Sequence, residues 1–143
     1  MSKRVMMYML FLLLSGMACT RIYSYEEQVT SRLEKQFSAK VLDKYKRIIF
    51  IPNGGCVGCV SQAEDYFLRT KGDIETLFIF TNFLSRKDLN IKLGKSSLDR
   101  FNVYLDSENL FYFPNYQESL YPCVIYVSKG KIGRFANLDE VIP

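Results

Sequence analysis

The sequence predicts an α/β domain, a sheet with a parallel portion that is flanked by helices and ended by an antiparallel hairpin. Three observations point there. Apolar runs of strand length alternate with segments of helical period. The last apolar run is followed by Lys129-Gly130 and a second β-rich run, which is the pattern of a hairpin with a glycine turn. The chain has 143 residues, the size of one domain, and 48% of them are hydrophobic, enough to fill one core.

Residues 1–18 read as an address. Lys3 and Arg4 are followed by ten uncharged residues, Val5–Leu14, and then by Ser15, Gly16, Met17 and Ala18 before Cys19. A basic start, a short apolar core and small residues make a secretory signal, and the apolar run falls short of the ~20 residues a membrane span needs. The segment resembles a bacterial lipoprotein signal, with Cys19 the lipidated first residue of the mature chain. Ala18 fits that pattern, whereas Gly16 stands where the strict pattern has leucine or a similar residue. Plain secretion with Cys19 as a free thiol is the alternative. Thr20 is not acidic, and the resemblance then places the protein in the cell envelope, lipid-anchored to the outer membrane and facing the periplasm. Removing residues 1–18 leaves 17 basic against 15 acidic residues, a charge of +2 in place of +4. That mild charge lacks the clustered basic face of a nucleic-acid binder.

Residues 19–24 are a tether and 25–143 the domain. Tyr25–Tyr45 reads as a helix, with Val29, Leu33, Phe37 and Val41 every four residues among charged neighbours. Lys46–Pro52 is an uninterrupted apolar strand, of the kind buried on both faces. Asn53-Gly54-Gly55 breaks it. Cys59–Thr70 is helical, with Val60, Ala63, Phe67 and Tyr66 inward. Ile74–Asn82 is a second buried strand after the Lys71-Gly72-Asp73 turn. Ser85–Leu93 is a helix with Ser85 and Asp88 spaced as a cap and an acidic first turn. Asn102–Leu105 is a short strand, and Asp106–Tyr116 is an aromatic connection of unassigned form. Cys123–Ser128 and Lys131–Ala136 make the hairpin. The scatter of Arg86, Lys87, Lys92, Lys95 and Arg100 reads as a solvated face, and Leu110–Tyr116 as core and loop packing or a partner groove.

The chain has no histidine, which excludes Ser-His-Asp triads, Cys-His dyads and HExxH zinc sites. The chemistry concentrates instead at Cys56-Val57-Gly58-Cys59, between a strand and a helix. Two cysteines three apart at a helix start can close a small disulfide. The first lies where unpaired N–H groups and the helix dipole favour an anion, which raises the attacking thiolate fraction. The second lies inside the first turn, placed to resolve a mixed disulfide. An exported compartment permits disulfides. If Cys19 is lipidated, Cys56, Cys59 and Cys123 remain, and three cannot all pair within one chain. The pair also admits a structural disulfide, an inert relic or a metal-handling site.

Two segments, IIFIPNGGCVGCV at 48–60 and LYPCVIYVSKGKIGRF at 120–135, resemble the thioredoxin superfamily, in particular small exported thiol-disulfide oxidoreductases. The resemblance implies a thioredoxin-like fold: a central mixed sheet of about four strands flanked by helices, with the C-terminal helix short or absent. It implies that Cys56 and Cys59 are catalytic and that Tyr121 and Pro122 bind substrate, the Tyr121–Pro122 bond being cis. The implied partners are exported proteins with thiols or disulfides, a redox partner protein and, through the lipid, a membrane. No cofactor is called for. The departures are Gly55 in place of the usual tryptophan, and Phe50 about where many members carry a buried acid, for which Glu64 or Asp65 could substitute.

Cys123 follows Pro122 directly. Strand alternation puts it on one face with Ile125, which favours a small buried residue. A third redox thiol, or a third ligand for a soft ion such as Cu(I), is the alternative. A zinc site would need a fourth ligand that the sequence does not offer. Two functions from different classes follow: a thiol-disulfide oxidoreductase of the cell envelope, or a non-catalytic envelope lipoprotein that uses the fold to bind a partner or a soft metal.

Overall fold

The computed structural model describes residues 23–141. The signal segment, Cys19 and most of the tether lie outside the described residues. Five strands form one mixed sheet: β1 (Arg47–Pro52), β2 (Thr76–Thr81), β3 (Val103–Leu105), β4 (Cys123–Ser128) and β5 (Lys131–Asn137). The order across the sheet is β3-β2-β1-β4-β5. The first three strands are parallel, and β4 runs antiparallel to both β1 and β5. The expected α/β class with a parallel portion and a terminal hairpin is therefore present. The five strands fall on the five segments read as strands from the sequence, one more than the about four that the family resemblance implies, with short β3 paired to β2 at the sheet edge.

The sheet has two cores because side chains alternate along each strand. Ile48 and Phe50 of β1, Leu77 and Ile79 of β2, and Ile125 and Val127 of β4 face one core. Ile49 and Ile51, Phe78 and Phe80, and Val124 face the other. The first core is covered by α1 (Tyr25–Gln36), through Tyr25, Val29 and Leu33. The second is covered by α3 (Val57–Arg69), through Val60, Ala63 and Phe67, and by α4 (Arg86–Leu93), through Leu89 and Leu93. Phe67 is fully buried edge-on to Phe78 and Phe80, at 5.0 Å from each. Truncating such a side chain costs about 3–5 kcal/mol.

Local chemistry sets the helix ends. Ser24 and Glu27 form a reciprocal capping box at the start of α1. Ser85 caps α4 as its spacing implies, its Oγ accepting from the Asp88 N–H at 3.1 Å. The first helix does not continue to Tyr45. It stops at Gln36, and a short α2 (Ala39–Leu42) follows. Phe37 adopts extended backbone and packs edge-on against Tyr104 at 5.2 Å. The apolar period thus runs through a bend, with Leu42 fully buried in the core and Val41 packed against it only partly buried. A second short helix, α5 (Lys95–Leu98), falls where the sequence showed no periodic signal.

The connection after β3 is organised by one buried carboxylate. Asp106 accepts from Thr81 Oγ1, from the Leu110 N–H and from the Phe111 N–H, each at 2.8 Å. It thereby ties the end of β2 to a turn that drives Phe111 and Phe113 into the first core, so Leu110–Tyr116 is largely core and loop packing. Arg100 is likewise not part of a solvated face. Its guanidinium lies 4.0 Å from the Phe67 ring centroid and donates to the carbonyls of Ser97, Thr70 and Phe67. Arg86 and Lys95 do lie at the surface, both paired with Asp99. No helix among the described residues is long and apolar enough to cross a membrane.

Candidate functional site

The parallel strands β1 and β2 end together, and the Asn53 N–H donates to the Thr81 carbonyl at 3.0 Å. The Asn53-Gly54-Gly55 loop then turns the chain into α3. Gly55 has φ +103°, and a Cβ there would lie 2.1 Å from the Leu120 carbonyl oxygen. Only glycine allows this close approach. It is the physical reason that no large side chain precedes Cys56: the backbone before Tyr121–Pro122 occupies that space. Gly55→Ala is expected to cost about 1–3 kcal/mol through strain and backbone overlap. It should also push the 117–122 loop away from the thiols. Thermal unfolding together with alkylation rates would check this; an alanine variant with unchanged values of both would contradict it.

Cys56 is the N-cap residue of α3, and its Sγ accepts from the Cys59 backbone N–H at 3.4 Å. It is exposed, while Cys59 is half-buried in the first turn; both are free thiols. Bonding to the Cys59 thiol, and then to the Cys59 and Gly58 backbone, holds the Cys56 thiol below its ordinary range. The same contact with Cys56 pushes the Cys59 thiol up, helped by desolvation, by the Cys56 charge and by Asp139. The contact thus biases the two thiols in opposite directions and favours thiolate at the exposed Cys56. Val57 between them is exposed, an apolar side chain beside the Cys56 thiol.

Tyr121 and Pro122 stand where the sequence placed them, next to the pair. Together with Cys59, Gln62 and Asp139 they line a shallow cavity of about 200 Å³. The Tyr121–Pro122 bond, however, is trans, as is every other peptide bond among the described residues. The expectation of a cis bond is corrected. The chain reaches Pro122 from a 3-10 turn at Gln117–Leu120, leaves Tyr121 extended (φ −114°, ψ 143°) and enters β4 directly.

Glu64 and Asp65 do not serve the second cysteine. Glu64 is buried on α3 and paired with Lys92 of α4 at 2.7 Å, a clip between two helices. Asp65 pairs with Arg69 at the surface. The carboxylate that shares a cavity with Cys59 is Asp139, from a short turn at Leu138–Glu140 that follows β5, and its charge raises the Cys59 thiol less than the contact with Cys56 does. Nothing in the spacing of Asp139 from the cysteines signals this.

Cys123 does not join the pair. It belongs to the core under α1, whereas α3 covers the other face of the sheet. Its thiol shares a hydrogen bond with the Tyr25 hydroxyl, and burial pushes it up to about 12. No cluster of three potential metal ligands occurs among the described residues. Cys123 instead packs against the core under α1 and lines a cavity that Cys59 does not line. The alternation that put Cys123 with Ile125 holds.

No protein-family model, no curated protein and no solved structure matches the chain.

Proposed function

We propose that the protein is a thiol-disulfide oxidoreductase of the bacterial cell envelope, with a thioredoxin-like fold and a lipid anchor at Cys19. The observation that carries this reading is the pair of cysteines at the start of α3. One thiol is exposed, caps a helix and is biased towards thiolate; the other is held protonated one turn in. That asymmetry is what two-step exchange requires. The Cys56 thiolate attacks a substrate disulfide, one sulfur joins Cys56 and the other leaves as thiolate. Cys59 then gives up its proton, attacks Cys56 and releases the substrate thiolate. The pair ends oxidised and the substrate reduced by two electrons; a dithiol partner would restore the pair. The reverse sequence oxidises a substrate dithiol. Support for the family comes from the parallel β1-α3-β2 unit, the antiparallel hairpin beside β1, and the 117–122 backbone against Gly55.

A second reading, a non-catalytic envelope lipoprotein that binds a partner, is favoured by one observation: the trans Tyr121–Pro122 bond departs from the family pattern. The two separate by titration of the purified protein in glutathione redox buffers, with alkylation followed at each cysteine by mass spectrometry. The exchange reading expects a reversible Cys56–Cys59 disulfide. It also expects Cys56 to be alkylated faster than Cys59 at neutral pH, because its lowered pKa leaves more thiolate there. Equal alkylation of both cysteines, or no disulfide in any buffer, would leave the binding reading.

A further inference from the structure

A second cavity, of about 330 Å³, adjoins the one beside Cys59 and shares Tyr121 and Pro122 with it. Both are lined by these two residues and Asn137. The charges lining the two have one sign. Asp139 lines the first cavity, and Glu26, Glu118 and Glu140 line the second; no lysine or arginine lines either. Glu140 is neutralised by Arg134 at 2.7 Å. Several of the chain's cations are occupied elsewhere. Lys92 holds Glu64, Arg86 and Lys95 hold Asp99, and Arg100 stacks on Phe67. Asp139 is exposed, so its charge meets whatever approaches the thiols.

We propose that the exchange site selects disulfides that carry positive charge beside the reacting sulfur, and that Asp139 is the residue setting this preference. The inference rests on the exchange reading above and adds the substrate class. Cys59 lines the same cavity as Asp139, so a disulfide that engages the pair brings a flanking group near this carboxylate. A cationic flank is attracted there and an anionic one repelled. Glutathione disulfide, with its surplus of carboxylates, is then a poor substrate; a basic polypeptide segment around the cysteine is a good one. The chemical step is unchanged. The Cys56 sulfur bonds the near substrate sulfur, the far sulfur leaves as thiolate, and the two electrons come from the Cys56–Cys59 dithiol when that pair closes. A unit charge at short range through solvent changes such a rate about threefold to tenfold, in opposite directions for the two signs.

The full chain, reduced beforehand, is mixed in single turnover with cystamine or with glutathione disulfide, and loss of free Cys56 is followed by mass spectrometry. Each rate is divided by that of a small neutral thiol with the same disulfide. The expected ratio favours cystamine by about tenfold or more at low salt and shrinks in high salt. Asp139→Asn should lower the ratio about threefold or more, and Asp139→Lys should lower it further. Glu118→Gln should lower it by a second, smaller factor. A ratio unmoved by Asp139→Asn and by salt would overturn the charge selection while leaving exchange intact. No reaction of Cys56 with either disulfide would overturn the exchange reading, and this inference with it.

Discussion

Cys59→Ser should convert the protein into a trap that stays covalently joined to its substrates, and Cys56→Ser should abolish exchange altogether. The asymmetry follows from position. Cys56 is exposed at the N-cap with its thiol held low, and Cys59 is half-buried with its thiol pushed up. Attack needs the first sulfur and release needs the second. Disulfide-reductase activity of Cys56→Ser should fall to the buffer background. Cys59→Ser should accumulate mixed disulfides that run as heavier species on non-reducing gels and vanish with reductant. Cys123→Ala should keep most activity, because its thiol lies in the opposite core, bonded to Tyr25. Trapping by Cys56→Ser in place of Cys59→Ser would reverse the assignment. Loss of activity in Cys123→Ala with the fold intact would return the third thiol to the reaction.

A large loss of stability is expected at a loop residue that touches no thiol. Asp106→Ala removes a buried acceptor from two backbone N–H groups and one hydroxyl, each bonded at 2.8 Å. An unsatisfied buried donor costs about 1–3 kcal/mol, so roughly 3–5 kcal/mol should be lost in total. That is a large share of the 5–15 kcal/mol or so that holds a domain folded, and it should lower Tm by about 10–20 °C. Asp106→Asn keeps one acceptor oxygen and should lose about half as much. Thr81→Ala removes one donor, leaves the carboxylate its two backbone bonds, and should cost about 1 kcal/mol. Chemical denaturation of the three variants checks the order. Equal stability of Asp106→Ala and the parent would mean that the turn after β3 is held by the burial of Phe111 and Phe113 alone. The same loop continues to Leu120, whose carbonyl abuts Gly55, so its loosening should also raise the alkylation rate of Cys59.

Much of the architecture was legible because burial follows simple periods. Ile48–Ile51 and Leu77–Phe80 are apolar without interruption because helices cover both faces of the sheet. Val60, Ala63 and Phe67 follow the helical period because α3 has one buried stripe. The Cys56 and Cys59 positions were legible for a different reason: a strand, a glycine break and a helix start leave few places for a CxxC to fall. The end of α1 was not legible. Phe37 and Val41 continue the period of Val29 and Leu33, yet the helix stops before them, where Phe37 packs on Tyr104 and Phe111 from distant segments. Asp106 was invisible too, since a buried carboxylate in a loop has the same letter as a solvated one.

By itself the sequence determined the α/β class, the two buried parallel strands, the hairpin, and which thiol stands at the loop and which inside the helix. These are local properties, set by residue type and spacing along one segment. The tertiary structure alone decided the order of the strands across the sheet, the trans bond before Pro122, and the partners of Glu64 and Arg100. It also brought Asp139 to Cys59 from the far end of the domain. Each of these depends on which segments meet in space. Such meetings are settled by the packing of whole faces against one another, which no single stretch of residues encodes.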